Sequence, residues 1–293
     1  MEPMIVARGM AVSAGVGAAA GGVTVAGALI GITGMDYAWP VFALAFTLSF
    51  FVYNAKQAII GNIVNRARTS ATRLEHLKRS VGDIHGMVRL MPYTEQLPLP
   101  FGGGWALTGD SAALLAHETI LRKPTTIVEL GSGVSTLILG QILANRGEGR
   151  LISIDHDEKW ANKTRLAVDA LGLENIVQVI HAPLVPTQIG EHSFQWYSME
   201  DKVIEALRSI DALIVDGPPR QAGKGHAARF PAFPLFASKM SPSAMIFVDD
   251  AGREDERSMV EQWAKNDDQW NVEWFQTVDG VAILSRDANV PNI

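Results

Sequence analysis

The chain has 293 residues, of which 47% are hydrophobic and 19% charged, and its formal net charge is −6. The absence of cysteine excludes disulfides, cysteine-ligated metal sites and a cysteine nucleophile. The negative charge argues against general nucleic-acid binding, and the apolar composition is typical of a membrane-associated chain.

Two apolar runs stand near the start of the chain, at residues 11–33 and 37–55, and predict helices over about 11–33 and 37–59. Each is long enough to cross the hydrocarbon core of a bilayer as a helix. Because only a short turn separates them, we predict a transmembrane helical hairpin over residues 1–60. Two alternatives stay open. The first run could be a cleaved signal peptide, although its start is not strongly basic, or both runs could be a buried helical pair in a soluble domain.

Basic side chains follow the second run between residues 56 and 89, whereas the turn between the runs has none. Lysine and arginine are concentrated on the cytoplasmic side of membrane helices. We therefore expect the chain in the inner (plasma) membrane, with both termini and the large C-terminal part in the cytoplasm.

Residues 61–100 are predicted to form an amphipathic helical stalk and a proline-rich linker. Apolar residues between 67 and 91 recur near the heptad spacing of coiled coils, and Pro92 is predicted to end the helix. The stalk could join two copies as a homodimer, or it could pack on its own C-terminal domain or on the lipid surface. That domain is predicted to be residues 101–293, and its glycine-rich first segment contains Trp105, which could cap a ligand.

A predicted strand, a glycine turn and a helix begin at residue 125. Residues 125–130 are apolar and rich in β-branched side chains, as in a short buried strand. Gly131 and Gly133 then allow a sharp turn, and residues 134–144 continue at helical spacing. This arrangement is the corner at which doubly wound α/β sheets bind nucleotides.

Glu129 and Thr136 bear on which nucleotide binds there. Dinucleotide-binding folds need glycine or alanine where Thr136 stands, and a carboxylate at Glu129 would repel a pyrophosphate. A carboxylate suits S-adenosylmethionine, which carries an ammonium and a sulfonium group. An NAD-linked oxidoreductase or epimerase is the alternative, and a generic turn with Glu129 as a helix-capping acid is another.

The next two predicted strands lie on the other side of this corner. Residues 151–155 end at Asp155, where nucleotide-binding folds place the carboxylate that binds ribose hydroxyls. Helix capping is the alternative role for this acid. Residues 175–180 form a further strand, and the polar and aromatic residues 185–199 are predicted to form a long loop.

Two more predicted strands end in acidic residues, namely Asp216 after the first and Asp249 and Asp250 after the second. The carboxyl ends of parallel strands meet at the edge where ligands bind. The last predicted element is a β-hairpin over residues 272–285, with an Asp-Gly turn.

From about Gly102 onward, the chain resembles the class I S-adenosylmethionine-dependent methyltransferases. The motifs that carry this resemblance are Gly-Gly-Trp105, Glu129-Leu-Gly-Ser-Gly-Val-Ser-Thr136, Ser153-Ile-Asp-His-Asp157, His181-Ala-Pro-Leu184, Asp216-Gly-Pro-Pro219 and Asp249-Asp-Ala-Gly-Arg253. The resemblance implies an enzyme of the α/β class, with a doubly wound, Rossmann-like sheet of seven strands and a C-terminal β-hairpin. Two transmembrane helices and the stalk would precede this domain.

The resemblance also implies S-adenosyl-L-methionine as the cofactor. The glycine turn and Glu129 would line its methionine end, Asp155 would hold the ribose, and Ala182 would border the adenine. The implied cofactor contacts are Trp105, Glu129, Gly131, Ser132, Gly133, Ser135, Asp155, His156, Ala182 and Asp216.

A looser similarity to cation-dependent, catechol-type O-methyltransferases implies Mg²⁺ on Asp216, Asp249 and Asp250. Three close carboxylates repel one another unless a cation or protons compensate, and hard oxygen ligands suit Mg²⁺. The lysine base of that pattern is replaced here by Pro219. The candidate catalytic residues are therefore Asp216, Arg220 and His226.

The expected reaction is methyl transfer to an oxygen nucleophile. The membrane hairpin suggests a lipid, a glycan or another small molecule at the membrane as the acceptor, with no role for nucleic acid. A non-catalytic, membrane-tethered scaffold with a nucleotide-binding domain is the alternative from another class of protein.

Overall fold

The structure, a computed structural model, describes residues 38–95, 107–199, 207, 209–223, 227–267 and 269–286 of the chain. The first predicted transmembrane run, Trp105 and His226 lie outside these described residues. The chain divides into two compact units, Met1–Leu77 and Lys78–Ile293.

The first described helix, α1 (Ala38–Thr94), joins the second apolar run and the stalk without a break. Pro92 lies inside this helix instead of ending it, because its missing N–H removes a hydrogen bond only from the last turn. Within the described residues, α1 is the one helix long and apolar enough to cross a membrane, by length and composition alone. The structure thus supports one candidate span where the sequence predicted two; residues 11–33 lie outside the described part.

The described strands are β1 (Thr126–Leu130), β2 (Arg150–Asp155), β3 (Val177–His181), β4 (Leu184–Ile189), β5 (His192–Tyr197), β6 (Ile210–Val215), β7 (Met240–Val248), β8 (Asn271–Phe275) and β9 (Val281–Ser285). Seven of them form one sheet in the order β3-β2-β1-β6-β7-β9-β8. The first five in that order are parallel, and β9 lies antiparallel between β7 and β8. This topology confirms the predicted doubly wound sheet with a C-terminal hairpin.

The other described α-helices are α2 (Gly109–Arg122), α3 (Val134–Arg146), α4 (Glu158–Ala170), α5 (Ala232–Phe236) and α6 (Glu254–Asn266). Two apolar cores cover the two faces of the sheet, because successive side chains of a strand point to opposite faces. Ile127 of β1 belongs to one core together with Leu137 of α3. Val128 belongs to the other, with Phe236 of α5 and Trp263 of α6. Both faces are thus covered, as a parallel sheet requires.

One segment predicted as a loop is a hairpin instead. Strands β4 and β5 pair antiparallel in a separate sheet of two strands. The loop prediction for residues 185–199 was wrong because the period-two pattern there is weak and is interrupted by Pro186. The aromatic side chains of Trp196 and Tyr197 are nevertheless almost fully buried, so long-range packing forms this hairpin.

The C-terminal part of α1 packs on the start of α2 through two glycines. Gly86 is buried, and a Cβ there would overlap the backbone of Gly109. The N–H of Gly109 donates to the Asp83 carboxylate at 2.5 Å, and Leu90 is inserted into the core. Gly86, whose helix propensity is poor, is therefore the residue that lets the two backbones meet.

We expect Gly86→Ala and Gly82→Ala to change stability in opposite directions. The first substitution forces the two helices apart, which costs on the order of 1–3 kcal/mol. A Cβ at Gly82 has its nearest neighbour, an Asp110 oxygen, at 3.8 Å. Gly82→Ala should therefore stabilise by up to ~1 kcal/mol, since alanine is the better helix former. Thermal unfolding of the purified full chain measures both effects. A rise in melting temperature for both variants would contradict this contact.

Candidate active site

The glycine turn between β1 and α3 lies at the carboxyl edge of the sheet, beside the end of β6. Gly131 has a φ of 99°, in a region that other residues rarely adopt. A Cβ there would lie 3.2 Å from the carbonyl carbon of Asp216. Backbone conformation and space both require glycine at this position, as the sequence predicted for a tight nucleotide-binding turn.

Glu129 lies beneath the turn and holds it from inside. Its Oε2 accepts hydrogen bonds of 2.6 Å from the hydroxyls of Thr136 and Ser153. The Thr136 hydroxyl also accepts the N–H of Gly133 at 2.9 Å. The threonine that departs from the dinucleotide fingerprint thus joins the buried acid to the turn.

The second oxygen of Glu129, Oε1, is buried and has no hydrogen-bond partner among the residues that the structure describes. Burial raises the pKa of Glu129 to about 7, against the lowering effect of its hydrogen-bonded neighbours. An ionised carboxylate in this position therefore needs a nearby positive charge, and Oε1 is available to accept a hydrogen bond from one.

Asp155, at the end of β2, holds the opposite side of the turn. Its Oδ2 accepts the backbone N–H and the hydroxyl of Ser132, at 2.8 and 2.6 Å, and its Oδ1 accepts the N–H of Asp157. Burial acts to raise the pKa of Asp155, but hydrogen bonds from His156, Ser132 and Asp157 outweigh it and lower the pKa below the ordinary value. Asp155 is therefore a buried acid that stays ionised.

Trp160 is a residue of this site that the sequence analysis missed. Its indole N–H donates to the carbonyl of Ser132 at 2.6 Å, so α4 is tied to the glycine turn. Asp157 caps α4 by accepting the N–H of Trp160 at 2.9 Å. The capping role considered for Asp155 thus belongs to Asp157, while Asp155 accepts hydrogen bonds from Ser132.

The three acids predicted to bind a metal do converge at the carboxyl ends of β6 and β7. One carboxylate oxygen from each of Asp216, Asp249 and Asp250 lies within 4.8 Å of the others. A guanidinium lies against the same cluster. Arg229, only 3% exposed, is 2.8 Å from Asp250 Oδ2 and 3.3 Å from Asp216 Oδ1. Arg229 was not identified from the sequence.

Mutual repulsion and burial govern the charge of this cluster. Burial and the neighbouring Asp249 raise the pKa of Asp216 well above its ordinary value, and Arg229 acts in the opposite direction. Burial and Asp250 raise the pKa of Asp249 to about 7. Near neutral pH the cluster therefore holds protons as well as an arginine, which are the two means by which crowded carboxylates are compensated.

Residues 128–251, which include the turn and the acid cluster, match the model of a family described as a methyltransferase domain. The chain carries a class I methyltransferase domain. This finding confirms the predicted enzyme class and sets aside the NAD-linked and non-catalytic alternatives. No match is found among curated proteins.

The chain is also similar to solved methyltransferase structures. The O-methyltransferase TomG from Streptomyces achromogenes, in complex with SAM, is 16% identical, with 70% of this chain and 88% of that one covered at a TM-score of 0.46. The SAH-bound methyltransferase PaMTH1 from Podospora anserina is 14% identical, with 74% and 94% covered at a TM-score of 0.48. The SAH-bound O-methyltransferase from Bacillus cereus is 14% identical, with 69% and 90% covered at a TM-score of 0.46.

The residues present fit S-adenosylmethionine, the cofactor predicted for this methyltransferase from its sequence. The buried, unpartnered Oε1 of Glu129 suits the cofactor's ammonium, and the ionised Asp155 suits a hydroxyl donor such as ribose. Ala182 is fully buried, and its N–H donates to the carbonyl of Asp155 at 2.7 Å. The structure brings together the predicted contacts Glu129, Gly131, Ser132, Gly133, Ser135, Asp155, His156 and Ala182 at the ends of β1, β2 and β3. Their individual roles stay predictions.

Of the predicted catalytic residues, Asp216 stands at the carboxyl edge of the methyltransferase sheet. The exposed guanidinium of Arg220 pairs with Asp255 of α6 at 2.7 Å, and the catalytic role of Arg220 stays a prediction. The residue that pairs with Asp216 is Arg229. His226 lies outside the described residues.

Tyr197, on the hairpin missed from the sequence, also reaches this edge of the methyltransferase. Its hydroxyl is buried beside Gly217, and no described residue forms a hydrogen bond with it. Burial, and then the charge of Asp155, raise the pKa of Tyr197 well above 10. The hydroxyl therefore stays protonated and could donate a hydrogen bond to a bound ligand.

Glu129→Gln separates the structural role of this acid from cofactor binding. The amide oxygen can accept the bonds of Thr136 and Ser153, while the amide nitrogen replaces the unpartnered Oε1. We expect the variant to fold but to bind S-adenosylmethionine about 10- to 100-fold more weakly, since a hydrogen bond to a charged group is lost.

The same interaction predicts a pH dependence. Because binding of an ammonium favours the ionised carboxylate, affinity in the wild type should increase as pH rises through about 7, and should fall when the cofactor's amine loses its proton above about pH 8. Glu129→Gln should lack the increase near pH 7. Isothermal titration across this range provides the measurement, and equal affinities and pH profiles for the two proteins would leave Glu129 a purely structural acid.

Proposed function

We propose that this methyltransferase methylates an oxygen of a small, membrane-associated acceptor such as a lipid or a lipid-linked glycan. The observation that carries the choice of oxygen is the environment of Asp216. Its side chain is 18% exposed, against 9% for Asp250, so it is the more accessible of these two acids. Arg229 favours the ionised form of Asp216 against burial and Asp249, and in that form the raised pKa makes Asp216 a stronger base than an ordinary aspartate.

When bound, S-adenosylmethionine supplies an electrophilic methyl group. Asp216 is positioned to accept the proton of an acceptor hydroxyl, so that the oxygen attacks as the better nucleophile. Orientation by the protein would account for much of the remaining rate enhancement, as expected for a transfer between two bound reactants. The neutral hydroxyl of Tyr197 can also contribute to the rate, because it can orient a reactant by donating a hydrogen bond.

Asp216→Asn tests the proposed base. We expect transfer of labelled methyl from S-adenosylmethionine into a membrane-plus-cytosol extract to fall by about 10²- to 10⁴-fold, the range of general base catalysis. Binding of the cofactor is titrated in parallel, because Asp216 is also a predicted cofactor contact; loss of transfer with binding retained would identify Asp216 as the base. Asp255→Asn, which removes only the exposed partner of Arg220, is the control and should keep its activity. Full activity of Asp216→Asn would reject the assignment.

The membrane association rests on the surface of α1. Leu44, Leu48 and Phe51 are 64–76% exposed, in a segment where no large apolar neighbour covers them among the described residues. Water is an unfavourable environment for so many large apolar side chains, and a bilayer would cover them. The basic residues that follow favour an inner-membrane location with the catalytic domain in the cytoplasm.

Fractionation of the labelled extract into lipid-soluble and aqueous products tests the acceptor class. The full-length enzyme is embedded in vesicles for this assay. Label recovered in the lipid-soluble fraction supports a membrane-bound acceptor. Label found only in soluble metabolites would reject it while leaving methyl transfer itself intact.

A second copy of the chain is the proposed partner of the stalk. Six apolar residues repeat at alternating three- and four-residue spacing and are 54–62% exposed, namely Leu74, Leu77, Val81, Ile84, Val88 and Met91. This spacing is the a/d pattern of a coiled coil. Gly86 and Leu90, which face the methyltransferase domain, lie off this seam, so packing on the domain leaves the seam free for another helix.

We expect the double substitution Val81→Glu and Val88→Glu to convert a dimer into a monomer, because charges at facing seam positions would be buried together. Thr72→Glu adds a charge to an exposed position away from the seam and is the matched control. Light scattering of the detergent-solubilised full chain gives the mass. A wild-type protein that is monomeric at all concentrations tested would contradict the homodimer.

A further inference from the structure

We propose that the guanidinium of Arg229 is the resident cation of the Asp216, Asp249 and Asp250 cluster, and that it makes the site independent of divalent metal. The geometry of three converging carboxylates resembles a site for a hard cation. In this chain, however, a side chain already supplies positive charge at Asp216 Oδ1 and Asp250 Oδ2, and it contacts Asp249 through the backbone carbonyl. Arg229 is thus a positioning residue for Asp216, and the inference rests on the proposed function only in that respect.

Two backbone carbonyls hold the guanidinium of Arg229 in place. One guanidinium nitrogen donates to the carbonyl of Asp249 at 2.8 Å, and the other donates to the carbonyl of Asp216 at 2.9 Å. Backbone carbonyls at the ends of β6 and β7 cannot move away without disrupting the sheet. The guanidinium is therefore fixed between the two strand ends and is not a mobile lid residue.

Both carboxylate oxygens of Asp250 are already paired with arginines. Its Oδ2 pairs with Arg229 at 2.8 Å, and its Oδ1 pairs with Arg253 at 2.7 Å. A divalent ion that took Asp250 as a ligand would have to displace at least one of these arginines. Its positive charge would also lie close to a buried guanidinium, which is strongly unfavourable where water is excluded.

A divalent metal ion and a guanidinium differ in the contacts that they make. A divalent metal binds carboxylate oxygens as a point charge with several open coordination positions. Arginine offers a planar set of N–H donors that can bind carboxylates and carbonyls together, and it stays charged at any accessible pH. Arg229 makes both kinds of contact. The carbonyl and carboxylate oxygens around Arg229 thus match the N–H groups of a guanidinium. The carboxylate of Asp216 is held in one orientation at the accessible side of the cluster.

Direct titration with Mn²⁺ tests the inference, with free Mn²⁺ measured by electron paramagnetic resonance. Full-length wild-type enzyme in detergent, treated first with a chelator, should show no Mn²⁺ site at the cluster, and chelator should not reduce its methyl transfer. Arg229→Ala should gain a Mn²⁺ site, at least about tenfold tighter than any residual binding to the wild type, because the substitution frees carboxylate oxygens of Asp216 and Asp250 and removes the opposing charge. Divalent ions should then raise the melting temperature of this variant and not of the wild type.

Two further variants serve as controls. Arg253→Ala removes the exposed partner of Asp250 but keeps Arg229, and it should gain no Mn²⁺ site. Arg229→Lys keeps a positive charge and should also gain none. If Arg229→Ala does not fold, the wild-type titration and Arg229→Lys still decide the question.

The inference is overturned if the wild type binds Mn²⁺ in a way that Asp249→Asn abolishes, or if a folded Arg229→Ala gains no site. Titration of the same wild-type preparation with S-adenosylmethionine keeps the two proposals apart. Failure to bind the cofactor rejects the proposed function, whereas binding of Mn²⁺ at the cluster rejects only the role of Arg229.

Discussion

The burial of Glu129 beneath the glycine turn is the constraint on which this active site depends. Its carboxylate accepts two hydroxyl hydrogen bonds and, through Thr136, holds the amide of Gly133. Asp155 holds Ser132 from the neighbouring strand. The turn is therefore fixed from both sides by acids, and a shift of either strand would change the shape of the cofactor site.

These two acids differ in how readily they ionise, and for different reasons. Burial dominates at Glu129 and raises its pKa to about 7, whereas hydrogen bonds dominate at Asp155 and lower its pKa. One acid is thus sensitive to a cationic ligand near neutral pH, and the other is a permanent anion. In the acid cluster at the ends of β6 and β7, the negative charge is compensated in a third way, by Arg229 together with bound protons. Crowded acids can persist at this edge because each is compensated in a defined way.

Helix α1 has two surfaces with different roles. Gly86 and Leu90 attach its C-terminal part to the methyltransferase domain, while Val81 and Val88 remain exposed. The short side chain at Gly86 permits close contact at the cost of helix propensity. This division lets the same helical segment both belong to the domain and present an apolar seam, which neither a simple linker nor an isolated coiled coil would do.

The sequence alone determined the class of the fold and the position of the cofactor turn. Apolar strands, glycines at the first turn and acids at the strand ends are local signals, and residues 126–130 and 150–155 form strands within one residue of the predicted bounds. The acidic residues Glu129, Asp155 and Asp216 were likewise identified, because each stands beside a strand end in the sequence itself. The cofactor class followed from the same residues, since a carboxylate beside the turn favours a cationic ligand.

Only the tertiary structure decided what compensates and covers these residues. Arg229 lies 13 positions from Asp216 and 20 or more from Asp249 and Asp250, in a segment without regular spacing, so no local pattern could assign it to the cluster. Trp160 and Tyr197 were missed for the same reason, because Ser132 and Gly217, which their side chains reach, are distant from them along the chain. Local periodicity reports which face of an element is buried, but the identity of the groups that meet across elements depends on packing over the whole domain.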